Sequence, residues 1–400
     1  MSTLCNIISK YGGLIQTGPF GSQLHEYEYV DVGVPVVMPK DIVGGKINYG
    51  TIARVSEEKA SQLHRHKLQA SDIVFPRRGD IGKCAFVSKN DAGCLCGTGS
   101  LKITVPDAVL SPRFLFYFLG LPESVKWLEN NSTGSTMMNL NTDILGRIEI
   151  PDLPIEQQRR IADILSAYDD LIENNRRRIA ILEETARLTY RKWFGVVEEG
   201  RTTTLGDVLE VLESGSRPRG GAVNDGVPSI GAEKIESIGI YDYSSEKYVS
   251  REYYDKMRRG KIRSGDVLLY KDGAYTGKVS MALNGFPHVE AAVNEHVFIL
   301  RTRNLHAQCF LYCFLRQQEI YERINTIASA KACQPGLNQS DVLNLEIELP
   351  TDDEIGLFEN RVIPLFDEIL NFAKQNAALV TARDMLLPRL MKGQSCFSSL

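Results

Sequence analysis

The sequence lacks the features that place a protein in a membrane or outside the cell. No apolar run among its 400 residues approaches the roughly 18 residues that a membrane-spanning helix needs. Residues 1–13 do not combine a basic start with an apolar stretch, so no secretory signal is predicted. The eight cysteines have no spacing typical of zinc ligands, and we interpret them as buried or idle thiols in a reducing cytosol. These absences predict a cytoplasmic protein without a metal.

Catalytic motifs are missing as well. The sequence contains no G-x-G-x-x-G after a strand, no Asn/Asp-Pro-Pro-Tyr/Phe of an amino-methyltransferase and no helicase Walker motif. His64 and His66 do not have the spacing of metal ligands. The formal net charge of −4 neither supports nor excludes binding to DNA, because a balanced domain can still carry one basic face. The prediction is a chain that is not itself an enzyme.

What the sequence does contain is a duplication. Arg77–Lys83 follows Ser71–Val74, and about 194 residues later Lys271–Lys278 follows Gly265–Leu268 in the same way. Repetition of whole segments at this distance is typical of a duplicated domain. A duplicated chain with internal two-fold symmetry suits a target that itself has roughly two-fold symmetry.

A second pair of segments repeats further along the chain. Met138–Ile144 is echoed by Pro335–Val342, and each copy continues into a strand-like segment that ends at a proline, Pro151 or Pro350. A long helical pattern follows in both copies. Asn141 and Asn338 match each other, which favours a structural role in the loop over base contact, because modules that read different sequences should differ where they touch bases.

The loops Arg77–Lys83 and Lys271–Lys278 are rich in glycine and carry cations at their ends. Glycine lets backbone N–H groups approach an anion, and the cations add charge. These loops are either plain hairpin turns or sites of contact with the DNA backbone. The duplication favours contact with the DNA backbone. Residues in the divergent stretches Gln16–Lys46 and Ser214–Tyr254 are the better candidates for base reading. The candidate DNA-binding residues are Lys40, Arg77, Arg78, Lys83, Ser135, Thr136, Asn139, Arg217, Arg219, Lys234, Lys271, Tyr275, Lys278 and Gln334.

Two long amphipathic helices are predicted, each after one module. Apolar residues at alternating spacings of three and four predict a first helix of about 35–40 residues after Pro154 and a second from Ile355. Pro364 is expected to kink or restart the second helix. The three arginines of Arg176–Arg178 are interpreted as a solvated face. The residues predicted for helix pairing and partner docking are Ile161, Ile164, Tyr168, Leu171, Asn175, Ile179, Leu182, Phe366, Ile369, Val380 and Leu387.

A helix of this length needs a long partner, so the two are predicted to pair antiparallel as a coiled coil. Asn175 is either a residue that sets their register or a polar residue tolerated at the edge of the seam. The predicted fold class is therefore α+β, with two similar globular domains separated by the helices and related by internal pseudo-two-fold symmetry. The predicted segments are 1–153 (first domain), 154–199 (central helix), 200–350 (second domain) and 351–400 (distal helix).

Several of these segments resemble one known family. Leu153–Ile161 and Arg187–Gly195 are similar to the central conserved helix of type I restriction–modification specificity subunits. Ala332–Asn338 resembles the loop that closes the target-recognition domains of that family, and Arg383–Gly393 resembles the end of its distal helix. Met137 and Met138 depart from the loop pattern of the second copy.

The resemblance implies a DNA-binding subunit without catalytic activity. Each recognition domain would read one half of a split asymmetric DNA site, and the helices would set the spacing and dock two modification subunits. Those subunits would bring S-adenosylmethionine for methylation, and two restriction subunits would use ATP and Mg²⁺ for translocation and cleavage. The alternatives are a specificity subunit of a type II-like methylating nuclease and, in a different class, a helical scaffold protein without DNA binding.

Overall fold

A computed structural model describes residues 2–132, 139–195, 201–330 and 336–391. The chain forms two compact units, of which the first contains Met1–Asp169 together with Thr381–Leu400. The second contains Asp170–Val380. Each unit therefore holds one globular domain and a part of both long helices. Among the described residues, the helices are either too short or too polar to span a lipid bilayer.

The first globular domain mixes short strands with short helices. Its strands are β1 (Ser2–Thr3), β2 (Leu14–Thr17), β3 (Tyr29–Val30), β4 (Val34–Val37), β5 (Ile42–Val43), β6 (Lys46–Ile47), β7 (Ala53–Val55), β8 (Ile73–Pro76), β9 (Ala85–Phe86), β10 (Leu95–Cys96), β11 (Ser100–Thr104) and β12 (Glu149–Ile150). Its helices are α1 (Leu4–Tyr11), α2 (Glu57–Gln62), α3 (Pro112–Leu119), α4 (Pro122–Asn131) and α5 (Thr142–Gly146), followed by the long α6 (Ile155–Phe194).

Two four-stranded sheets organise this domain. One has the order β2-β11-β8-β9 and is antiparallel throughout, while the other has the order β10-β4-β7-β3 with β10 parallel to β4. All four residues of β8 are buried; Ile73 and Phe75 share the core under the first sheet with Phe114 and Leu115 of α3, and Val74 belongs to a separate cluster. Two further pairs, β1 with β12 and β5 with β6, complete the strands.

The second globular domain repeats this plan. Its strands are β13 (Arg201–Thr204), β14 (Leu209–Ser214), β15 (Val227–Ile230), β16 (Tyr248–Val249), β17 (Val267–Tyr270), β18 (Val279–Met281), β19 (Ala292–Val293), β20 (Val297–Thr302) and β21 (Glu346–Leu349). Its helices are α7 (Leu205–Val208), α8 (Arg251–Lys256), α9 (Gln308–Leu315), α10 (Gln318–Ser329) and α11 (Gln339–Leu343), followed by the long α12 (Asp352–Met391).

Strand order is the clearest sign of the duplication. The sheet β14-β20-β17-β18 has the same order and directions as β2-β11-β8-β9, and β15 pairs with β19 in parallel as β4 pairs with β10. Even a helix cap is repeated, since Ser56 accepts a hydrogen bond from the Lys59 amide and Ser250 accepts one from the Tyr253 amide, both at 3.2 Å. The predicted α+β fold with two similar globular domains is confirmed.

Within the first unit, the start of α6 and the end of α12 cover the domain core. Ile161 and Leu165 of α6 share a buried cluster with Leu390 and Met391 of α12, and Ile164 and Leu387 pack at its edge. Asp169 accepts hydrogen bonds from the Tyr117 hydroxyl and from Arg383, both at 2.6 Å. Tyr168 is half-buried. These contacts bring the beginning of one helix to the end of the other.

Within the second unit, the same two helices also run antiparallel. Asn175 donates a hydrogen bond of 3.0 Å to Asn376, and nearer the other end of the pair the rings of Trp193 and Phe358 are 6.1 Å apart. The helix residues of the shared core cluster include Ile179, Ala186, Tyr190, Phe194, Val362, Phe366 and Ile369, with Leu182 at its edge. Both asparagines are buried, so a polar pair bridges the two helices inside an apolar seam, as register-setting residues do.

Three expectations about the helices can be judged directly. Leu171 is 51% exposed while Ile172 is buried, so the prediction that Leu171 faces the partner helix is wrong. Leu171 lies three residues and Ile172 four residues after Tyr168, and both spacings continue an apolar stripe, so spacing alone does not select the buried residue. A kink or a restart was expected at Pro364; the restart is wrong, because α12 continues through this residue, and the kink stays a prediction. Pro364 and Asn360 are exposed, so water can satisfy the carbonyl that loses its partner. The arginines of Arg176–Arg178 are exposed, as expected.

Candidate nucleic-acid interface

The two repeated cationic loops are the turns of equivalent β-hairpins. Residues 77–83 connect β8 to β9, and residues 271–278 connect β17 to β18. Gly273 has a φ of +129°, and a Cβ there would lie 2.7 Å from the Tyr270 hydroxyl. This turn therefore requires glycine, whatever else the loop does. Both loops are hairpin turns, which fits a plain turn as well as contact with the DNA backbone, so the choice between the two interpretations stays open.

The second repeated segment lies against the first in both domains. The Leu140 amide donates to the Arg77 carbonyl at 2.8 Å, and the Leu337 amide donates to the Lys271 carbonyl at 2.7 Å. Isolated bridges join Arg78 to Asn139 and Asp272 to Gly336. Segments more than 60 residues apart in each copy thus form one local structure at the end of a hairpin.

The matching asparagines serve the backbone. Asn141 precedes α5 and accepts a hydrogen bond from the Ile144 amide at 2.8 Å. Asn338 precedes α11 and accepts one from the Asp341 amide at 2.9 Å. Both are N-caps, which satisfy amides that a helix leaves without partners. The structural role expected for this pair is confirmed.

Sequence reasoning missed the role of the repeated aspartates. Asp72 is fully buried, accepts a hydrogen bond of 2.5 Å from the Thr104 hydroxyl and lies 3.5 Å from the Lys102 ammonium. Asp266 is also buried and forms two hydrogen bonds of 2.7 Å with the Arg301 guanidinium. Burial raises the pKa of Asp266. These pairs hold the hairpin strand to its neighbour, and the signal in the sequence was the recurrence of the aspartate itself.

The candidate DNA-binding cations of the first domain differ in exposure and in their contacts within the protein. Lys40 is exposed, and its ammonium donates to the Thr51 carbonyl at 2.9 Å. The half-buried Arg77 places its guanidinium 5.9 Å from the centre of the Phe20 ring. Arg78 is exposed. Lys83 is exposed and lies 2.8 Å from Asp80, an ion pair that water weakens.

In the second domain, the loop cations lie close to acids and rings. Lys278 forms hydrogen bonds of 3.1 and 3.2 Å with Glu236, and its ammonium lies 4.5 Å from the centre of the exposed Tyr275 ring. Lys271 lies 5.2 Å from the Phe298 ring and 3.9 Å from Asp272. The two ends of the loop therefore differ, since Lys278 is already bonded to a carboxylate.

Three candidates come from the divergent stretch of the second domain. Arg217 is exposed and forms an ion pair of 2.6 Å with Glu295. Arg219 is exposed. Lys234 is different, because its side chain is only 9% exposed and its ammonium donates to the carbonyls of Asp242 and Ser244. This geometry favours a structural role for Lys234 in holding its own loop.

The remaining candidates, Ser135, Thr136 and Gln334, lie outside the described residues. Within the described ranges, no cluster of His, Cys, Asp and Glu side chains could hold a metal ion. Cys94, Cys96, Cys309 and Cys313 are all buried, and burial raises the pKa of Cys96 to about 12. These thiols are therefore protonated and poor nucleophiles near neutral pH.

Comparison with known proteins matches this architecture. Residues 30–184 match the family described as the type I restriction modification DNA specificity domain. The chain is 27% identical to the type I restriction enzyme MjaIX specificity subunit of Methanocaldococcus jannaschii, over 92% of this chain and 88% of that protein. It is 21% identical to the HindI specificity subunit of Haemophilus influenzae, over 88% and 92% of the two chains.

A solved structure shares the fold. The S subunit of a type I restriction–modification system from M. genitalium aligns with a TM-score of 0.52 at 17% identity, covering 97% of this chain and 94% of that one. Residues 30–184 thus match a DNA specificity domain, and the whole chain shares the fold of a solved S subunit. Both specificity subunits therefore resemble this chain over nearly its whole length.

Proposed function

We propose that this chain is the sequence-specific DNA-binding subunit of a type I restriction–modification complex. The single observation that carries the proposal is the duplication itself, in which two domains share one strand order, one hairpin and one buried aspartate pair. The match of residues 30–184 to a DNA specificity domain supports DNA as the target. Two domains with a common frame and different surface residues suit a DNA site with two unlike halves.

Each half of the DNA site is assigned to one recognition domain. The hairpin loops, with Arg77, Arg78 and Lys83 in one and Lys271 and Lys278 in the other, contact phosphates and fix the position of the domain on the duplex. Phosphate contacts carry no sequence information, so bases are read elsewhere. The divergent stretches Gln16–Lys46 and Ser214–Tyr254, which contain Lys40, Arg217 and Arg219, provide those contacts.

The long helices set the distance between the half-sites and dock the other subunits. Two modification subunits carry S-adenosylmethionine and methylate the DNA, and two restriction subunits carry ATP and Mg²⁺. The chain itself performs no catalysis in this scheme. Ile181 and Leu188 on α6 expose apolar side chains seven residues apart on the same face, which supports contact with a partner there.

The proposal is tested by selection from a pool of random duplexes. The full chain, purified together with its modification subunit, should enrich one motif with two defined halves and a gap of constant length. The chain purified alone should transfer no methyl group from S-adenosylmethionine to the same pool. Failure to enrich any motif with the complex, or methyl transfer by the chain alone, contradicts the proposal.

A further inference from the structure

One backbone position recurs in both domains with different side chains. The Arg77 amide donates to the Gly99 carbonyl at 2.6 Å, and the Lys271 amide donates to the His296 carbonyl at 3.1 Å. Since strands β10 and β19 lead into β11 and β20 in the same way, the residues just before these carbonyls also correspond. These residues are Thr98 in the first domain and Glu295 in the second.

A second pair of equivalent positions, one in each domain, lies beside the first pair. β2 ends next to β11 at Thr17, and β14 ends next to β20 at Ser214. Each strand is followed by a glycine that passes close to the end of β10 in the first domain or of β19 in the second. A Cβ on Gly18 would lie 2.0 Å from the Gly97 carbonyl oxygen, so the crossing is too close for a side chain.

Two residues beyond these glycines stand Phe20 and Arg217, both exposed. Each reaches the hairpin or the strand end just described. The Phe20 ring lies under Arg77, and Arg217 forms its 2.6 Å ion pair with Glu295. Two domains that recognise different DNA sequences need different side chains at equivalent backbone positions.

Polar atoms at this position lack partners inside the protein. Within the described part of the chain, Thr98 Oγ1, Glu295 Oε2 and Arg77 Nε are buried and have no hydrogen-bond partner. Glu295 engages Arg217 through its other oxygen, which also lies 3.5 Å from His296 Nε2. Buried polar atoms without partners are rare and costly in folded proteins, and a ligand is one way to satisfy them. Both domains place such an atom at the same point of the fold.

We infer that Thr98 and Glu295 are specificity-determining residues that contact base edges, one in each half-site, with Phe20 and Arg217 as their neighbours. This inference rests on the proposed function. The Glu295 carboxylate accepts a hydrogen bond from an exocyclic amino group such as N4 of cytosine, and Arg217 is placed to donate to the adjacent guanine. The Thr98 hydroxyl bonds to either kind of base edge, and the apolar Phe20 ring suits a thymine methyl group.

The experiment compares motifs enriched from random duplexes by the complex with its modification subunit. Glu295→Gln should change base preference about tenfold at one position of one half-site, because the new amide donates where the carboxylate oxygen accepted. Thr98→Val should change one position of the other half-site, while Thr98→Ser, which keeps the hydroxyl, should retain the original preference. Arg217→Lys, at an exposed side chain, should relax the position adjacent to that of Glu295.

Glu322→Gln is the matched control, since Glu322 is an exposed glutamate of the same domain on α10 and bonds to Gln318. It should leave the motif unchanged. An unchanged motif in both Glu295→Gln and Arg217→Lys overturns the inference, as does a uniform loss of affinity without any change in preference. If the wild-type complex enriches no motif, the proposed function fails and not this assignment of residues.

Discussion

The asparagines and aspartates that recur in both domains serve the fold, whereas the residues proposed to read bases differ between the domains. Asn141 and Asn338 cap short helices, and Asp72 and Asp266 hold strands through buried ion pairs. Replacing these residues would damage folding before it damaged recognition. Phe20 and Arg217 occupy one place in the frame and have opposite chemistry. This difference fits the proposal that a duplicated scaffold carries two different base-reading surfaces.

Lysines at the two ends of the second hairpin loop should weaken DNA binding for every sequence when removed. Replacing Lys271 and Lys278 together with alanine should reduce the slope of log affinity against log salt by up to about two phosphate contacts. Lys271→Ala should account for the larger part, because the Lys278 ammonium already bonds to Glu236. The measurement is a titration of the complex with duplex DNA at several salt concentrations.

Lys374→Ala on α12 is the control for that titration, and its salt slope should match the wild type. Affinity that holds in the double variant while the preferred sequence changes would show that these lysines read bases and do not contact phosphates.

Among the secondary-structure elements, α12 contributes a titratable contact to the second domain. Glu359 accepts a hydrogen bond of 2.7 Å from the Phe310 amide near the start of α9, and burial raises its pKa from 4.5 to about 7. A carboxyl whose pKa is raised on folding stabilises the protein at pH values below its unfolded pKa. That contribution is lost as pH rises towards 7, because the folded state then keeps a proton that the unfolded state has released.

Glu359→Gln should therefore flatten the pH dependence of stability. The neutral amide keeps the acceptor for Phe310, so the variant should gain free energy of unfolding relative to wild type at pH 8, by about 3 kcal/mol at most, and little at pH 4. Denaturant unfolding at the two pH values measures this difference. Glu368→Gln, at an exposed position of the same helix, should not alter the profile. Parallel profiles for wild type and Glu359→Gln would contradict a buried, proton-linked contact.

Helices were predictable from the sequence in extent but less so in detail. An apolar repeat of three and four over 40 residues leaves little choice but a long helix that needs a partner. The face of that helix was less certain, since Leu171 and Ile172 both continue the spacing and only the packed partner selects Ile172. The helix does not restart at Pro364, because the cost of a proline depends on whether the freed carbonyl meets water, which the sequence does not reveal.

For the whole molecule, the sequence repeat was sufficient to predict two similar domains. Each repeated residue marks a local structure, and repeated order implies a repeated fold. The repeat predicted only part of the candidate site. Thr98 and Glu295 are different residue types, and only backbone hydrogen bonds show that their positions are equivalent. Phe20 lies within the stretch judged divergent and escaped notice because an exposed phenylalanine has no distinctive pattern.

Length of the paired helices should set the gap between half-sites. Asn175 faces Asn376, so a heptad inserted next to each would lengthen both helices in the same layer by about 10 Å. That distance equals about three base pairs and adds a rotation of about 100° along the duplex. The doubly inserted chain should select a longer gap or lose binding, and an insertion into one helix should lower stability by breaking the seam. A fully active double insertion with the original gap would show that the helices are not the ruler.

The most direct measurement of the central claim is a map of methylated bases in the DNA of cells that express this chain with its modification subunit. Two recognition domains on one duplicated frame predict a single asymmetric motif made of two defined halves separated by a gap of constant length. Cells that express the modification subunit with a chain lacking residues 201–350 should lose one of the halves. A methylated motif that is continuous, or that is the same with and without this chain, would contradict the account.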